Sequence, residues 1–230
     1  MSRKSSFPPE STKVAYVFPG QGSQLVGMGR DLYNQFASAR QVFQEADEAL
    51  GFHLSSLCFE GPEPELSLTI NAQPAILTMS MACLSAAREA GLINGHLQPS
   101  FVAGHSLGEY TALVAAGALD LAEGVHLVRE RGRLMQEASL RRPGGMAAIL
   151  GLKLASIEEI CRQTGTQIAN VNCQGQIVIS GSQEALAKAM KMAKARGGRR
   201  AIPLEVSGPF HSSRMRRAIR GLARILSALH

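Results

Sequence analysis

The stretch "FVAGHSLGEYTALVAAG", Phe101 to Gly117, sets His105, Ser106, Glu109 and Tyr110 into an otherwise apolar passage and brackets the serine with Gly104 and Gly108. Its opening residues have the character of a short apolar strand and its later ones that of a helix. "GHSLG" is therefore G-x-S-x-G at a strand-to-helix turn, the context that gives this motif its meaning. Such a turn crowds the positions two before and two after it, and both are glycine here. The Ser106 hydroxyl is left projecting from a strained corner. The helix that starts behind it aims unpaired backbone N–H groups at the same point, with that of Leu107 as one donor to a developing oxyanion. A helix start with Ser106 as N-cap is the plain alternative, and both readings stay open at this point.

A serine hydroxyl is a weak nucleophile until a base takes its proton. Six histidines are available: His53, His96, His105, His126, His211 and His230. His105 adjoins Ser106, but neighbours along an extended strand point to opposite faces, which places it poorly. His211 stands in "VSGPFHSS", a loop after the last predicted strand and before the closing helix, where a catalytic side chain can be presented; a solvated loop histidine is the alternative. The loop "PGQGSQLVGMG" follows the first strand and is neither a Walker A sequence nor G-x-G-x-x-G. The N–H of its Gln21 is a candidate second donor to the oxyanion, against a simple tight loop. In "LAEGVHLVRERGRLMQEA", Arg131 has Leu127, Val128, Leu134 and Met135 at helical spacing, whereas Arg129 and Arg133 do not. A charge within an apolar face needs an anion, and the guanidinium fork matches a carboxylate. A bound acid and an internal salt bridge both meet that need.

Outward from these motifs, "KVAYVFPG" reads as a buried strand stopped by Pro19-Gly20. Helical patterns cover Asp31–Leu50 and Gln73–Ala90, the second with Pro74 in its first turn and Gly91 as its stop. Helices follow from Ser106 to about Ala116 and from an Asp120 cap to about Ala138. From Gly145 onward, "MAAIL", "SIEEICRQ", "QIANVN", "QIVIS", "QEALAKAMKMAKA" and "RRAIPLEV" give the order β-α-β-β-α-β, a split ferredoxin-like unit. The end, "SSRMRRAIRGLARILSALH", places Met215, Ile219, Leu222, Leu226 and Leu229 on one helical stripe with Arg216, Arg220 and Arg224 on another face. A stripe of that kind needs a surface to pack on.

At 230 residues the chain suits one main domain with a smaller insertion. With 45% hydrophobic and 18% charged residues it reads as a folded soluble protein rather than a disordered one. No apolar run approaches a membrane span, and "MSRKSSFPPESTK" lacks the apolar segment of a secretory signal, so residues 1–12 read as a disordered leader of a cytoplasmic protein. Cys58, Cys83, Cys161 and Cys173 are scattered, without metal or redox spacing, and are expected to be buried reduced thiols. Residues 1–150 carry 11 Lys/Arg against 14 Asp/Glu, while residues 151–230 carry 13 against 4. The basic second part suits an acidic protein or a phosphorylated small molecule; without stacking aromatics or a nucleic-acid module, nucleic acid is not expected as a partner.

Taken in order, "FPGQGSQ", "QPAILT", "GHSLGEY", "RGRLMQEA", "GMAAILGL", "QIVISG" and "VSGPFHS" resemble the malonyl-CoA:acyl carrier protein transacylases of bacterial fatty-acid synthesis, relatives of the acyltransferase domains of polyketide synthases. The resemblance implies an α/β-hydrolase-like large domain over 13–140 and 205–230 with an inserted ferredoxin-like small domain over 141–204. It implies Ser106 as the acylated nucleophile, His211 as its base, the N–H groups of Gln21 and Leu107 as the oxyanion hole, and Arg131 as partner of the malonyl carboxylate. It also implies a monomer without metal or cofactor, malonyl-CoA being a substrate, and an acidic acyl carrier protein as partner, with Arg199 and Arg200 as candidate contacts. Members of the family run on past the point where this sequence stops. The chain is therefore expected to be C-terminally truncated, with an uncovered sheet edge in a large domain that counts only "KVAYVF", "SFVAG" and "LEV" as strands. A serine esterase or thioesterase shares the elbow, and a fragment that only binds carrier protein shares the surface.

Overall fold

The computed structural model describes residues 13–93 and 97–228; the expected leader, His96, Leu229 and His230 lie outside the described residues. The chain divides into two compact units between Arg129 and Glu130.

In the first unit, β1 (Ala15–Phe18) and β2 (Phe101–Gly104) pair in parallel, Ala15 opposite Phe101 and Phe18 opposite Gly104. Around them stand α1 (Arg30–Gln35), α2 (Ala37–Leu50), α3 (Leu54–Glu60), α4 (Glu63–Leu66), α5 (Thr69–Glu89) and α6 (Gly108–Ala115). Phe43, Leu54, Leu66 and Leu77 are fully buried at the centre. Phe43 lies 5.0 Å from the Phe59 ring and 6.1 Å from that of Tyr33, close enough for edge-on aromatic contact. In this two-stranded sheet Val17 is 74% and Phe101 59% exposed.

The helix expected over Asp31–Leu50 is broken at Phe36, whose extended backbone (φ −120°, ψ 125°) separates α1 from α2. The cause is distant in sequence. The Glu89 carboxylate accepts the N–H groups of Ala37 (3.4 Å) and Ser38 (2.8 Å), so the end of α5 caps the start of α2. The helix α5 begins at Thr69 rather than Gln73, leaving Pro74 inside it. Proline there forgoes one bond, to the Ile70 carbonyl, a loss that burial around the helix offsets: Thr69, Gln73 and Thr78 are as deeply buried as Leu77. The short α3 and α4 have no counterpart in the sequence reading.

The helix α7 (Leu121–Arg141) starts as expected at Asp120, whose carboxylate accepts Glu123 N–H at 2.7 Å while Glu123 returns a bond to Asp120 N–H at 3.1 Å. In the second unit, β3 (Gly145–Leu150), α8 (Leu154–Thr164), β4 (Gln167–Cys173), β5 (Gln176–Gly181), α9 (Gln183–Ala195) and β6 (Arg200–Pro203) follow the expected element order. The strands lie in the order β4-β5-β3-β6, every neighbour antiparallel. The period of two along β3 divides its side chains between two cores. Ala147 and Ile149 join Ile157, Ile160 and Ile179, while Met146 and Ala148 join Met135, Ala138 and Phe210. Burial on both faces is why "MAAIL" carries no polar alternation.

Two expectations are corrected here. "LEV" is not a strand: β6 ends at Pro203, which has no N–H for the ladder, and Leu204 N–H instead donates to the Met146 carbonyl at 2.9 Å. The closing helix, α10 (Arg216–Leu226), starts after Met215, so that residue sits in the 3-10 turn before it. Met215 is buried, but Ile219 is 61% and Leu226 43% exposed, so the described part of the stripe is largely uncovered. Among the described residues no helix is long and apolar enough to cross a membrane.

Candidate active site

The chain passes from β2 into α6 within four residues, and Ser106 takes up the bend with a φ of 54°. A left-handed backbone costs a residue with a Cβ roughly 1–3 kcal/mol and persists where surrounding structure imposes it. Here two close approaches impose it. A Cβ on Gly104 would stand 1.9 Å from the Gly108 carbonyl carbon, and one on Gly108 would stand 2.4 Å from the Phe18 carbonyl oxygen. The glycines thus let α6 start directly against both strands. Glu109 N–H bonds the Ser106 carbonyl at 3.3 Å and Gly108 N–H that of His105 at 2.9 Å, closing the first turn. Leu107, whose N–H is the candidate donor, is fully buried and so holds its backbone in place.

The loop after β1 runs over the same corner. A Cβ on Gly20 would come within 2.7 Å of His105 Nδ1 and 2.8 Å of its carbonyl oxygen, so only glycine lets Pro19–Gln21 lie this close. Gln21 is pinned from the other side, its amide donating to Thr69 Oγ1 at 3.2 Å. Ser23 Oγ donates to the Gly20 carbonyl at 3.0 Å, which tightens the loop on itself. The first unit therefore gathers Ser106, Leu107 and the Gln21 loop around one elbow. Thr69 and Gln73, both fully buried, were missed by sequence reasoning, although two polar residues one helical turn apart at the head of the proline-bearing apolar α5 were a signal that they share a face.

Arg131 and His211 belong to the second unit. Among the described residues His211, at φ 53°, is the one other non-glycine residue with positive φ. It is exposed at the head of a turn: Phe210 N–H bonds the Gly208 carbonyl at 3.0 Å and Ser212 Oγ the Pro209 carbonyl at 2.6 Å. That turn is seated on α7, since a Cβ on Gly208 would overlap Ser139 Oγ at 1.9 Å and Phe210 packs with Met135 and Ala138. Of the other histidines, His53 is on the surface 3.4 Å from Asp47, and His105 and His126 are exposed.

Arg129, Arg131 and Arg133 of α7 separate as their neighbours predict. Arg129 stacks on the Phe52 ring at 4.3 Å and donates to Asn71 Oδ1 at 3.1 Å. Arg133 is held by Glu130 and Glu137 on the surface, which raises its pKa further above the ordinary value, chiefly through the hydrogen bonds it donates to Glu130. Arg131 alone of the three is buried, with 9% exposure.

The four cysteines are free, but Cys83 and Cys173 are exposed, which corrects the expectation of four buried thiols. Cys173 ends β4 at a hairpin turn, where no second layer covers it. Burial, with the Asp47 charge added, pushes the Cys58 thiol up from 9.0 to about 12. The native state therefore keeps a proton that the unfolded chain releases. Stability is expected to fall as pH rises above about 9, an effect that urea midpoints measured from about pH 8 to 10 will show and that Cys58→Ala will reduce.

A parallel strand pair, a serine held at positive φ and a helix pressed on it through two glycines define an α/β protein with a sharp strand–serine–helix corner. Comparison of the sequence narrows the class: the chain belongs to the acyl transferase domain family, whose profile matches residues 15–230. It is 50% identical over 222 residues to the malonyl CoA-acyl carrier protein transacylase of Bacillus subtilis (strain 168), covering 94% of this chain and 68% of that protein. The crystal structure of the malonyl CoA-acyl carrier protein transacylase from Clostridium perfringens superposes with a TM-score of 0.87 at 42% identity, over 95% of this chain and 68% of that one. A malonyl-transacylase solved in complex with its type II PKS acyl-carrier protein gives 0.89 at 42% identity, over 95% and 71%. The chain thus spans about two thirds of the length of these relatives.

Proposed function

We propose that this chain transfers a malonyl group from malonyl-CoA to the phosphopantetheine thiol of acyl carrier protein, in fatty-acid biosynthesis, by way of an acyl-Ser106 intermediate. The observation that carries the assignment is the pairing of strain with chemistry: the two described non-glycine residues with positive φ are the serine and the histidine that the reaction requires. Ser106 Oγ attacks the thioester carbonyl as His211 takes its proton. The negative oxygen that develops is met by the N–H groups of Leu107 and Gln21, each such donor being worth about 10²–10³ in rate. Collapse expels the coenzyme A thiolate, which takes the proton from His211. The carrier thiol then repeats the sequence in reverse order, its proton passing to His211 and on to Ser106 Oγ as the thioester leaves.

Arg131 is the partner of the malonyl carboxylate. Its burial supports the role, because the bound acid then meets a guanidinium in a low-dielectric site where an uncharged acetyl group has nothing to offer. Arg131→Ala is expected to lower the ratio of malonyl to acetyl transfer, as kcat/KM, by about 10²-fold or more, since truncating one partner of a buried charged pair costs about 3–5 kcal/mol. A ratio left unchanged would return Arg131 to an internal structural pairing.

The architecture that accompanies this function is an α/β-hydrolase-like large domain, 13–140 with 205–230, carrying an inserted ferredoxin-like domain at 141–204; the antiparallel order β4-β5-β3-β6 supports the second part. Proton transfer and hydrogen bonding suffice for the chemistry, so no cofactor or metal enters. The protein acts as a cytoplasmic monomer, with the exposed Arg199 and Arg200 among its contacts to the carrier. Intact mass after incubation with malonyl-CoA tests the reading. A malonyl adduct that persists in buffer and discharges onto a carrier thiol supports it. Release to water would mean an esterase, and an unlabelled protein that still binds carrier would mean a binding fragment.

A further inference from the structure

Between the last turns of α7 and the length of α10, both within the second unit, lies a continuous basic groove. Two cavities of about 510 and 470 Å³ adjoin there, sharing Ala138, Arg141, Arg217 and Arg220. Arg142, Arg214 and Arg216 line the first and Arg224 the second. The groove exists because the helices approach closely at its floor, where a Cβ on Gly221 would meet Leu134 Cδ2 at 2.7 Å. The arginines are left along its walls, Arg214 half-buried with its guanidinium donating to the Pro143 carbonyl at 3.2 Å and the others exposed. Glu137 is the acidic residue of the lining, and its carboxylate is held by Arg133 outside the groove. No ion pair among the described residues involves any of the seven arginines of the walls.

This arrangement does not serve stability. Arg216 and Arg217 occupy the first turn of α10, against its macrodipole and without an acidic residue in that turn, and Arg220 and Arg224 continue like charges at helical spacing. An anion that engages several of them at once reverses the penalty, since guanidinium forks match carboxylates in bidentate fashion. The length of the row narrows the anion. Arg217, Arg220 and Arg224 recur at i, i+3 and i+7 on one face and span about 10 Å along the axis. That is the spacing of carboxylates at the same interval on another helix. Among the described residues the lining has no aromatic side chain to stack a nucleobase.

We propose that the α7–α10 groove is a docking surface for an acidic helix of a protein partner, whose carboxylates at i, i+3 and i+7 meet Arg217, Arg220 and Arg224. The proposal does not depend on transacylation, and its test needs no turnover. Two fluorescein-labelled, alanine-based helical peptides of identical composition serve as probes, one with glutamates at i, i+3 and i+7, the other with them spread around the helix. Fluorescence anisotropy with the full chain at low salt is expected to give at least about tenfold tighter binding of the striped peptide, with affinity falling steeply as salt is raised. Replacing both Arg217→Gln and Arg220→Gln removes the difference, while R217K with R220K keeps part of it; an unchanged thermal melt shows that the fold is intact. Equal binding of the two peptides overturns the proposal in favour of general charge attraction. Inorganic pyrophosphate binding that neither peptide competes with overturns it in favour of a small-anion site. An oligothymidylate that binds more tightly than the striped peptide overturns it in favour of nucleic acid.

Discussion

The Ser106→Ala protein is expected to stay at its unmodified mass after incubation with malonyl-CoA, with transfer to carrier thiol lowered by about 10⁴- to 10⁶-fold. The magnitude follows from the chemistry: removing the nucleophile of a covalent mechanism removes the intermediate, and the rate left over comes from binding and oxyanion stabilisation alone. Ser106 carries strain that alanine, which keeps the Cβ, leaves unchanged, because the backbone stays at φ 54° so long as Gly104, Gly108 and Phe18 hold the corner. The variant should therefore fold normally and still bind carrier protein. Retention of activity in S106A, with a mass adduct elsewhere, would move the nucleophile away from the elbow.

Gly104→Ala is expected to give the largest loss of stability of any single methyl addition in the first unit, about 3 kcal/mol or more. The added carbon would lie 1.9 Å from the Gly108 carbonyl carbon and 2.4 Å from Glu109 N. These are backbone atoms at the start of α6, so relief requires the helix to move off the sheet, and the Ser106 corner opens with it. Gly108→Ala meets the Phe18 carbonyl oxygen at 2.4 Å and should behave alike. Gly117→Ala is the comparison. At φ 74° it is strained by conformation but has open space around it, and should cost only about 1 kcal/mol. Urea midpoints at unchanged slope measure all three. Equal losses at Gly104 and Gly117 would show that backbone freedom, rather than close approach, is what the elbow glycines supply.

The elbow was legible because its evidence is local. Two glycines at fixed offsets from a serine, an apolar run before and a helical pattern after, all lie within seventeen residues, and the structure places β2, the bend and α6 on those residues. The order of elements in β3 to β6 was legible for the same reason, since each carries its own hydrophobic period. What was missed depends on partners far along the chain. The break at Phe36 comes from Glu89 capping α2, and the early start of α5 at Thr69 follows from a burial so complete that Pro74 is tolerated inside the helix. Neither cause can be seen in a window around the affected residues. The arginine groove was half visible: the charges of α10 stand out in the sequence, but their apposition to Arg141 and Arg142 requires Gly221 to meet Leu134.

The sequence by itself determined where the strand–serine–helix corner falls and the order of the elements from β3 to β6, because side-chain type and short-range periodicity act over one or two turns of chain. Tertiary structure decided the rest. It strained Ser106 and His211 alone among the described non-glycine residues, buried Arg131 while leaving Arg133 at the surface, and ended β6 at Pro203. Backbone strain, the desolvation of a charge and the end of a ladder are set by what packs against a residue, and that is known only once distant parts of the chain have met.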